Sequence, residues 1–296
     1  MTHRIAATIV LYRPERDALR GLVRSLAADV AHVFLYLNSA LPPGWLEECA
    51  ALACPAALAT LGTGANLGLG RAYNEAAEAA HEAGCDLLLL FDQDSEPPPG
   101  MARRLAEAFD TAVGLCVAVV GPLPVAPSGT YKLPPVAAPA AGLPVGLRDS
   151  AFLISSGSLI DLAALAEIGP FREDFFIDGI DIEWCFRARA RGYRCLMART
   201  EKMPHRLGHG VTAVKMLNLH LIDNTPQRLF THARNQIAMM RLAHVPAWWK
   251  FRAGAGIALR MLIGLGCGAP RAERAAIWRG IVAGLRHELG PPAQPV

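Results

Sequence analysis

Leu87-Leu88-Leu89-Leu90-Phe91 runs directly into Asp92-Gln93-Asp94-Ser95, an apolar run that ends on two carboxylates two positions apart. Residues 86–91 read as a strand, with the acids set at its carboxyl end. The same pattern repeats outward from this stretch. Residues 4–12, 32–38, 56–61 and 115–121 are short runs rich in Val, Leu and Ile, whereas 15–28, 45–53, 71–83 and 100–112 carry the i, i+3, i+4 apolar spacing of helices. Strands alternating with helices predict an α/β chain built on a parallel sheet with crossover helices. Ligands of such sheets sit beyond the carboxyl ends of the strands, which directs attention to Tyr12-Arg13, Asn38-Ser39, residues 62–70 and residues 92–96.

Beyond residue 121 the pattern loosens. Residues 122–146 form a long loop rich in Pro, Gly and Ala, followed by an expected strand at 150–155 and helix at 159–168. An acidic turn and helix at 174–191 and a strand at 193–197 complete this part, and from Pro226 the pattern is helical. Apolar residues make up 52% and charged residues 19% of the 296, which excludes a disordered chain. The longest near-span, residues 253–269, holds 17 residues with Arg260 in its middle, short of the roughly 20 that cross a bilayer. The apolar start at 5–11 is broken by Tyr12-Arg13-Pro14 and reads as a strand rather than a signal peptide. Seven cysteines without a Cys-x-x-Cys pair point to reduced thiols and no structural zinc. The net charge of +3 is unevenly spread, because residues 226–296 hold ten Arg and Lys against two Glu.

Asp92 and Asp94 project to the same side of an extended segment, where they suit Mg²⁺ or Mn²⁺ together with the phosphate oxygens of a nucleoside diphosphate. A helix-capping turn before Pro97-Pro98-Pro99 is the competing reading. The glycines of 62–70 precede a helix and suit an anion, but their spacing misses the dinucleotide fingerprint, and no Gly-Lys pair exists to make a P-loop. Asp178, Asp181 and Glu183 lie among aromatic residues, where a partly desolvated carboxylate can act as a general base; Asp181 as a helix cap is the structural alternative. His205 and His209 stand in a Pro- and Gly-flanked loop that does not fit a zinc-protease helix. Arg228, Arg234 and Asn235 open the basic region and can reach phosphate or form a solvated helix face.

Taken in order, residues 8–14, Asn66-Leu67-Gly68 with Ala72 and Asn74, Phe91-Asp92-Gln93-Asp94-Ser95, Ser156-Gly157-Ser158, residues 176–187, His205-Arg206-Leu207-Gly208, Arg228 and Arg234-Asn235 resemble the inverting glycosyltransferase family 2. The likeness is greatest to its bacterial rhamnosyltransferase branch. That resemblance implies a GT-A domain over residues 1–225, its nucleotide-sugar half at 1–121 and acceptor half at 122–225, with a basic helical region at 226–296. It implies Asp92 and Asp94 as metal ligands and Asp181 as the base, with Asp178 and Glu183 as fallbacks. Thr8, Tyr12, Arg13, Asn38, Asn66, Gly68, Arg71, Asn74 and Gln93 would face the donor, and Ser156, Gly157, Trp184, His205, Arg228, Arg234 and Asn235 the acceptor and diphosphate. The implied donor is dTDP-L-rhamnose, with galactofuranosyl or another deoxysugar as the runner-up.

The implied acceptor is a polysaccharide or lipid-linked glycan at the inner face of the cell membrane, and no nucleic-acid partner is expected. Two positions depart from the family pattern: Leu37-Asn38 stands where Asp-Asn is usual, and Ile180-Asp181 where Glu-Asp is usual. A nicotinamide oxidoreductase would need its glycine fingerprint where this chain has Tyr12-Arg13-Pro14, and an inactive nucleotide-binding scaffold would not need Asp92, Asp94 and Asp181. In the tail, Trp248-Trp249 and apolar residues interleave with Arg and Lys, which suits an anionic membrane interface. Packing on the catalytic domain or in a homodimer, through Gly254, Gly256, Gly264 and Gly266, is the alternative.

Overall fold

The computed structural model describes residues 3–125, 134–137, 142–204, 211–214, 219–222, 225–266 and 271–292. Its centre is an eight-stranded sheet in the order β3-β2-β1-β4-β7-β5-β8-β6. The strands are β1 (Ile5–Leu11), β2 (His32–Leu37), β3 (Ala57–Leu61), β4 (Leu87–Asp92), β5 (Val117–Val125), β6 (Leu147–Asp149), β7 (Leu159–Asp161) and β8 (Arg194–Pro204). Only β6 and β7 run against the others. The helices α1 (Arg16–Leu26), α2 (Trp45–Ala53), α3 (Leu69–Glu82) and α4 (Met101–Thr111) are the crossovers that the alternation predicted.

Period two along β1 divides the core. Ile5, Ala7, Ile9 and Leu11 pack with Leu19, Leu22 and Leu105 on one side, and Ala6 and Val10 with Tyr73, Ala76 and Trp184 on the other. The chain moves outward from β1 through β2 to β3 and then returns across β1 to form β4, so the crevice lies beyond β1 and β4. Register fixes what meets there, since Val10 stands opposite Asp92 and Leu11 opposite Leu37. Tyr12, Asn38 and Gln93 therefore emerge side by side.

The second half corrects the sequence reading. Residues 150–155 are not a strand. Their neighbour β6 takes the sheet edge, and Ser150 makes only an isolated bridge to Val136. Asp149 at the end of β6 is buried and takes Arg189 at 2.5 Å and Arg194 at 3.1 Å. The expected helix 159–168 is split: its first residues are β7, after which the Asp161 side chain accepts from Ala164 N–H at 2.8 Å and caps α5 (Leu162–Ile168). The expected helix 174–191 becomes a 3-10 turn at Glu173–Phe175 and then α6 (Ile180–Ala190). Between them the backbone carries Phe176 and Asp178 at φ of 64° and 67°. An antiparallel hairpin, β9 (Val211–Val214) and β10 (Leu219–Ile222), was not anticipated.

Three helices close the fold: α7 (Pro226–Met240), α8 (Ala247–Gly266) and α9 (Arg271–Arg286). Thr225 caps α7 and Pro226 opens it, the preferred order at a helix start. Ala238, Met239, Val245 and Trp249 join the apolar core that Tyr73 and Trp184 share on one face of the sheet. Close packing of α9 on α7 uses Gly280 and Gly284, where an added Cβ would lie 2.4 Å from Phe230 O and 2.6 Å from Arg234 O. Gly256, one of the glycines expected to pack, faces open space. Among the described residues, no helix is long and apolar enough to cross a membrane.

Candidate active site

Asp92 ends β4, and Asp94 stands exposed two residues further on. Burial, then the charges of Asp94 and Asp181, push the Asp92 carboxyl up to about 6, against the opposing pull of Arg228. Three acids therefore share a patch in which one of them resists ionisation. Gln93 between them is structural at both ends of its amide: its oxygen accepts from Tyr12 N–H at 2.7 Å, and its nitrogen donates to Tyr12 O at 3.1 Å. That pair ties the end of β4 to the end of β1. Arg13, at φ 49°, donates its N–H to Ser39 Oγ at 2.8 Å and places its guanidinium over the Tyr12 ring.

Gly157 N–H donates to Leu90 O at 2.8 Å, which lays the turn at Ser156 and Gly157 against β4. Ser156 meets Ser95 there at 2.6 Å between hydroxyl oxygens. Next to this turn, Asp181 in the first turn of α6 accepts from Ser155 N–H at 2.9 Å and from Ile182 N–H at 2.8 Å. Gly179, rather than Asp181, holds the capping position. The Asp181 carboxyl is raised, mainly by burial, with the charge of Asp178 adding to it and the backbone N–H bonds opposing.

The other two acids of this segment are committed to neighbouring side chains. Asp178 accepts from Arg228 at 3.2 Å and from Thr231 Oγ at 3.4 Å. Glu183 is buried; burial opposes its charge, yet hydrogen bonds from His244 at 2.8 Å and Arg187 at 3.0 Å hold its carboxyl below the ordinary range. Asp181 alone combines a raised carboxyl with purely backbone partners. Sequence reasoning did not single out Tyr73, whose buried hydroxyl is raised by burial and by the charges of Asp92 and Asp181, against the pull of Ser155. No motif signals it, because its relevance comes from α3 packing under the acids.

Asparagines shape the glycine loop. Asn38 accepts from Leu67 N–H at 3.0 Å and donates to Gly68 O at 3.4 Å, and Asn66 accepts from Gly68 N–H at 3.1 Å. Gly68 sits at φ 88°, where a Cβ would lie 2.5 Å from Phe176 O, while Leu69 N–H donates to that same carbonyl at 2.7 Å. The glycine loop thus abuts the segment that leads to Asp178 and Asp181. Gly68→Ala combines a left-handed φ with a backbone collision, so a loss of about 1–3 kcal/mol is expected. Thermal unfolding and turnover, measured on the same variant, should fall together.

Several residues expected at the site are engaged in bonds or packing within the fold. Thr8 is buried within β1, paired across the sheet with Phe34 and Leu90. Asn74 bridges α3 to Phe171 and Glu173, and Arg71 pairs with Glu75 at 2.7 Å. Trp184 is buried on Phe171 and donates to Gly169 O at 3.0 Å. Arg234, 2% exposed, is not offered to a phosphate: it donates to Phe175 O at 3.1 Å and Gly290 O at 2.6 Å. Asn235 donates to the carbonyls of Phe175, Ile177 and Asp178. Both residues brace the turn before Asp181. His205 lies outside the described residues.

No protein-family model matches the chain. Over 258 residues it is 26% identical to the dTDP-rhamnosyl transferase RfbF of Shigella flexneri, covering 83% of each chain. The fold aligns with S. aureus TarS 1-349 in complex with UDP-GlcNAc at a TM-score of 0.60 and 14% identity, covering 96% of this chain and 81% of that one. It also aligns with the mannosyltransferase PcManGT from Pyrobaculum calidifontis in complex with GDP-Man and Mn²⁺, at 0.59 and 12% identity, covering 97% and 88%. Against GalNAc-T7 with UDP, GalNAc and Mn²⁺ the TM-score is 0.56 at 14% identity, and the aligned part is 69% of this chain but only 44% of that one. The chain shares the GT-A fold of these glycosyltransferases. Its sequence kinship is with the bacterial rhamnosyltransferase type.

Proposed function

We propose that the enzyme transfers L-rhamnose from dTDP-L-rhamnose to a polysaccharide or lipid-linked glycan, with inversion at the anomeric carbon and with a divalent cation. The observation that carries this reading is the gathering of Asp92, Asp94 and Asp181 at one end of the sheet, with Asp181 bonded to the turn that flanks β4. The donor follows the kinship with the Shigella enzyme.

The residues at the end of β4 fit a hard cation. Asp92 resists ionisation beside Asp94 and Asp181, a conflict that a positive ion relieves. Among the described residues no group of three or more His, Cys, Asp or Glu is arranged for a metal, so phosphate oxygens and water would complete the shell around Asp92 and Asp94. Bound there, Mg²⁺ or Mn²⁺ supplies charge against the departing diphosphate. Arg228 faces Asp92 and adds protein charge on the same side.

Asp181 takes the proton of the acceptor hydroxyl as that oxygen bonds to the anomeric carbon and the bond from carbon to the diphosphate oxygen breaks. Its hydrogen bonds from Ser155 and Ile182 hold the carboxylate in place, and burial raises its basicity. The Gln93 clamp and the asparagine-held loop at Gly68 keep the donor-side backbone in position. The acceptor belongs to cell-surface glycan synthesis, and the helices from residue 226 contact the inner face of the membrane.

A panel of nucleotide sugars with Mg²⁺, assayed for released nucleoside diphosphate, tests the donor. dTDP-L-rhamnose should be turned over fastest. Preference for a UDP-sugar, galactofuranose included, would overturn the donor while keeping the enzyme class.

A further inference from the structure

α7, α8 and α9 enclose a cavity of about 250 Å³ whose wall includes His232, Gln236, Trp249, Arg252 and Arg260 over an apolar floor with Ile257. It belongs to no part of the sugar-transfer site. The Arg252 guanidinium lies over the Trp249 ring at 5.4 Å, which sets positive charge at the cavity wall. Gly256 meets nothing within 4 Å of where its Cβ would be, and so leaves the mouth open.

The outer face of α8 is the second observation. Trp248, Phe251, Leu259 and Leu262 recur at helical spacing and are exposed, Phe251 by 79% and Leu262 by 65%, and Trp278 of α9 is 59% exposed. Arg252 stands between this stripe and the cavity stripe of Trp249, Gly256 and Arg260. The region carries ten basic residues against two acidic ones, so its complement is an anionic surface.

We propose that α8 lies on an anionic lipid leaflet and that the cavity beside it seats the headgroup of one phospholipid. Arg252 and Arg260, both on the cavity wall, bind the phosphate. The inference rests on the membrane contact proposed above and names the lipid that this contact recognises.

The full chain is sedimented with phosphatidylcholine vesicles with and without phosphatidylglycerol, using point variants rather than a chain cut near residue 246, because Gly290 is a partner of the buried Arg234. Wild type should bind only when phosphatidylglycerol is present. Arg279→Gln, a charge loss outside the cavity, should weaken binding about five-fold, the effect of one surface charge. Arg252→Gln should weaken it about thirty-fold or more, and Gly256→Leu, which fills the mouth without removing charge, by a similar factor. Phe251→Ser with Leu262→Ser should abolish pelleting. Nucleotide release in solution and thermal unfolding check that each variant is folded.

If Arg252→Gln matches Arg279→Gln and Gly256→Leu binds like wild type, the headgroup site is overturned and general membrane attraction remains. If wild type fails to pellet with phosphatidylglycerol, the membrane contact itself fails. A wild-type dimer that Phe251→Ser with Leu262→Ser converts to monomer would give the α8 face to a second copy and overturn both.

Discussion

Asp181→Asn is expected to lower turnover by about 10²–10⁴ while leaving donor affinity near wild type. The amide keeps an oxygen that can accept from Ser155 or Ile182, so the start of α6 stays in place, but it cannot take a proton from the acceptor. The raised Asp181 carboxyl also sets the sign of the pH dependence. The wild-type rate climbs as pH rises through that pKa and levels off above it, and the Asn variant loses the climb. Steady-state kinetics across pH, with donor binding measured separately, checks both statements. Glu183→Gln makes the contrast: it removes the charge that Arg187 and His244 share in the interior, so its main effect should be on stability. A folded Glu183→Gln enzyme as slow as expected for Asp181→Asn, beside an active Asp181→Asn, would move the base to Glu183.

Removing divalent cations with EDTA should abolish nucleotide release, and Asp94→Ala should do the same without unfolding, because Asp94 is exposed at the strand end. Asp92 gives a paired effect on stability. Its carboxyl titrates near 6 in the folded chain against an ordinary 3.8, so the metal-free fold binds this proton more tightly than the unfolded chain does. The associated stability is fully present below about 4 and is lost as pH rises through about 6, a cost of roughly 2–3 kcal/mol at neutral pH. Asp92→Asn should therefore raise the melting temperature of the metal-free protein at pH 7 while eliminating transfer. Added Mg²⁺ should stabilise wild type and leave Asp92→Asn unmoved. Full activity in excess EDTA would remove the cation from the mechanism.

The first half of the chain was readable because each element there follows one period. The apolar run before Asp92 and the spacings of α1 to α4 survive in the structure almost residue for residue. The second half hid its elements in composite segments. Leu159, Ile160, Leu162, Leu165 and Ile168 fit a helical stripe, and only the capping capacity of Asp161 separated the strand of the first residues from the helix of the rest. Within the site, the acids at the end of β4 and Asp181 were legible as types and spacings. The work of Asn38, Asn74, Arg234 and Asn235 was not, because their partners are backbone groups about 30 to 100 residues away and leave no local pattern. Tyr73 was silent because its place beside Asp92 and Asp181 comes from the packing of α3.

The brace around Arg234 has a consequence for synthesis on the ribosome. Its guanidinium holds Phe175 O and Gly290 O, and Gly290 N–H in turn donates to Asp174 O at 2.6 Å. A nascent chain that has already displayed Asp92, Asp94 and Asp181 still lacks the residue that finishes this clasp. Until residue 290 has emerged, the segment leading to Asp181 has its bonds from Arg234, Asn235 and Leu69 but lacks the one from Gly290 to Asp174. Closure of this clasp therefore follows the synthesis of every acid of the candidate site.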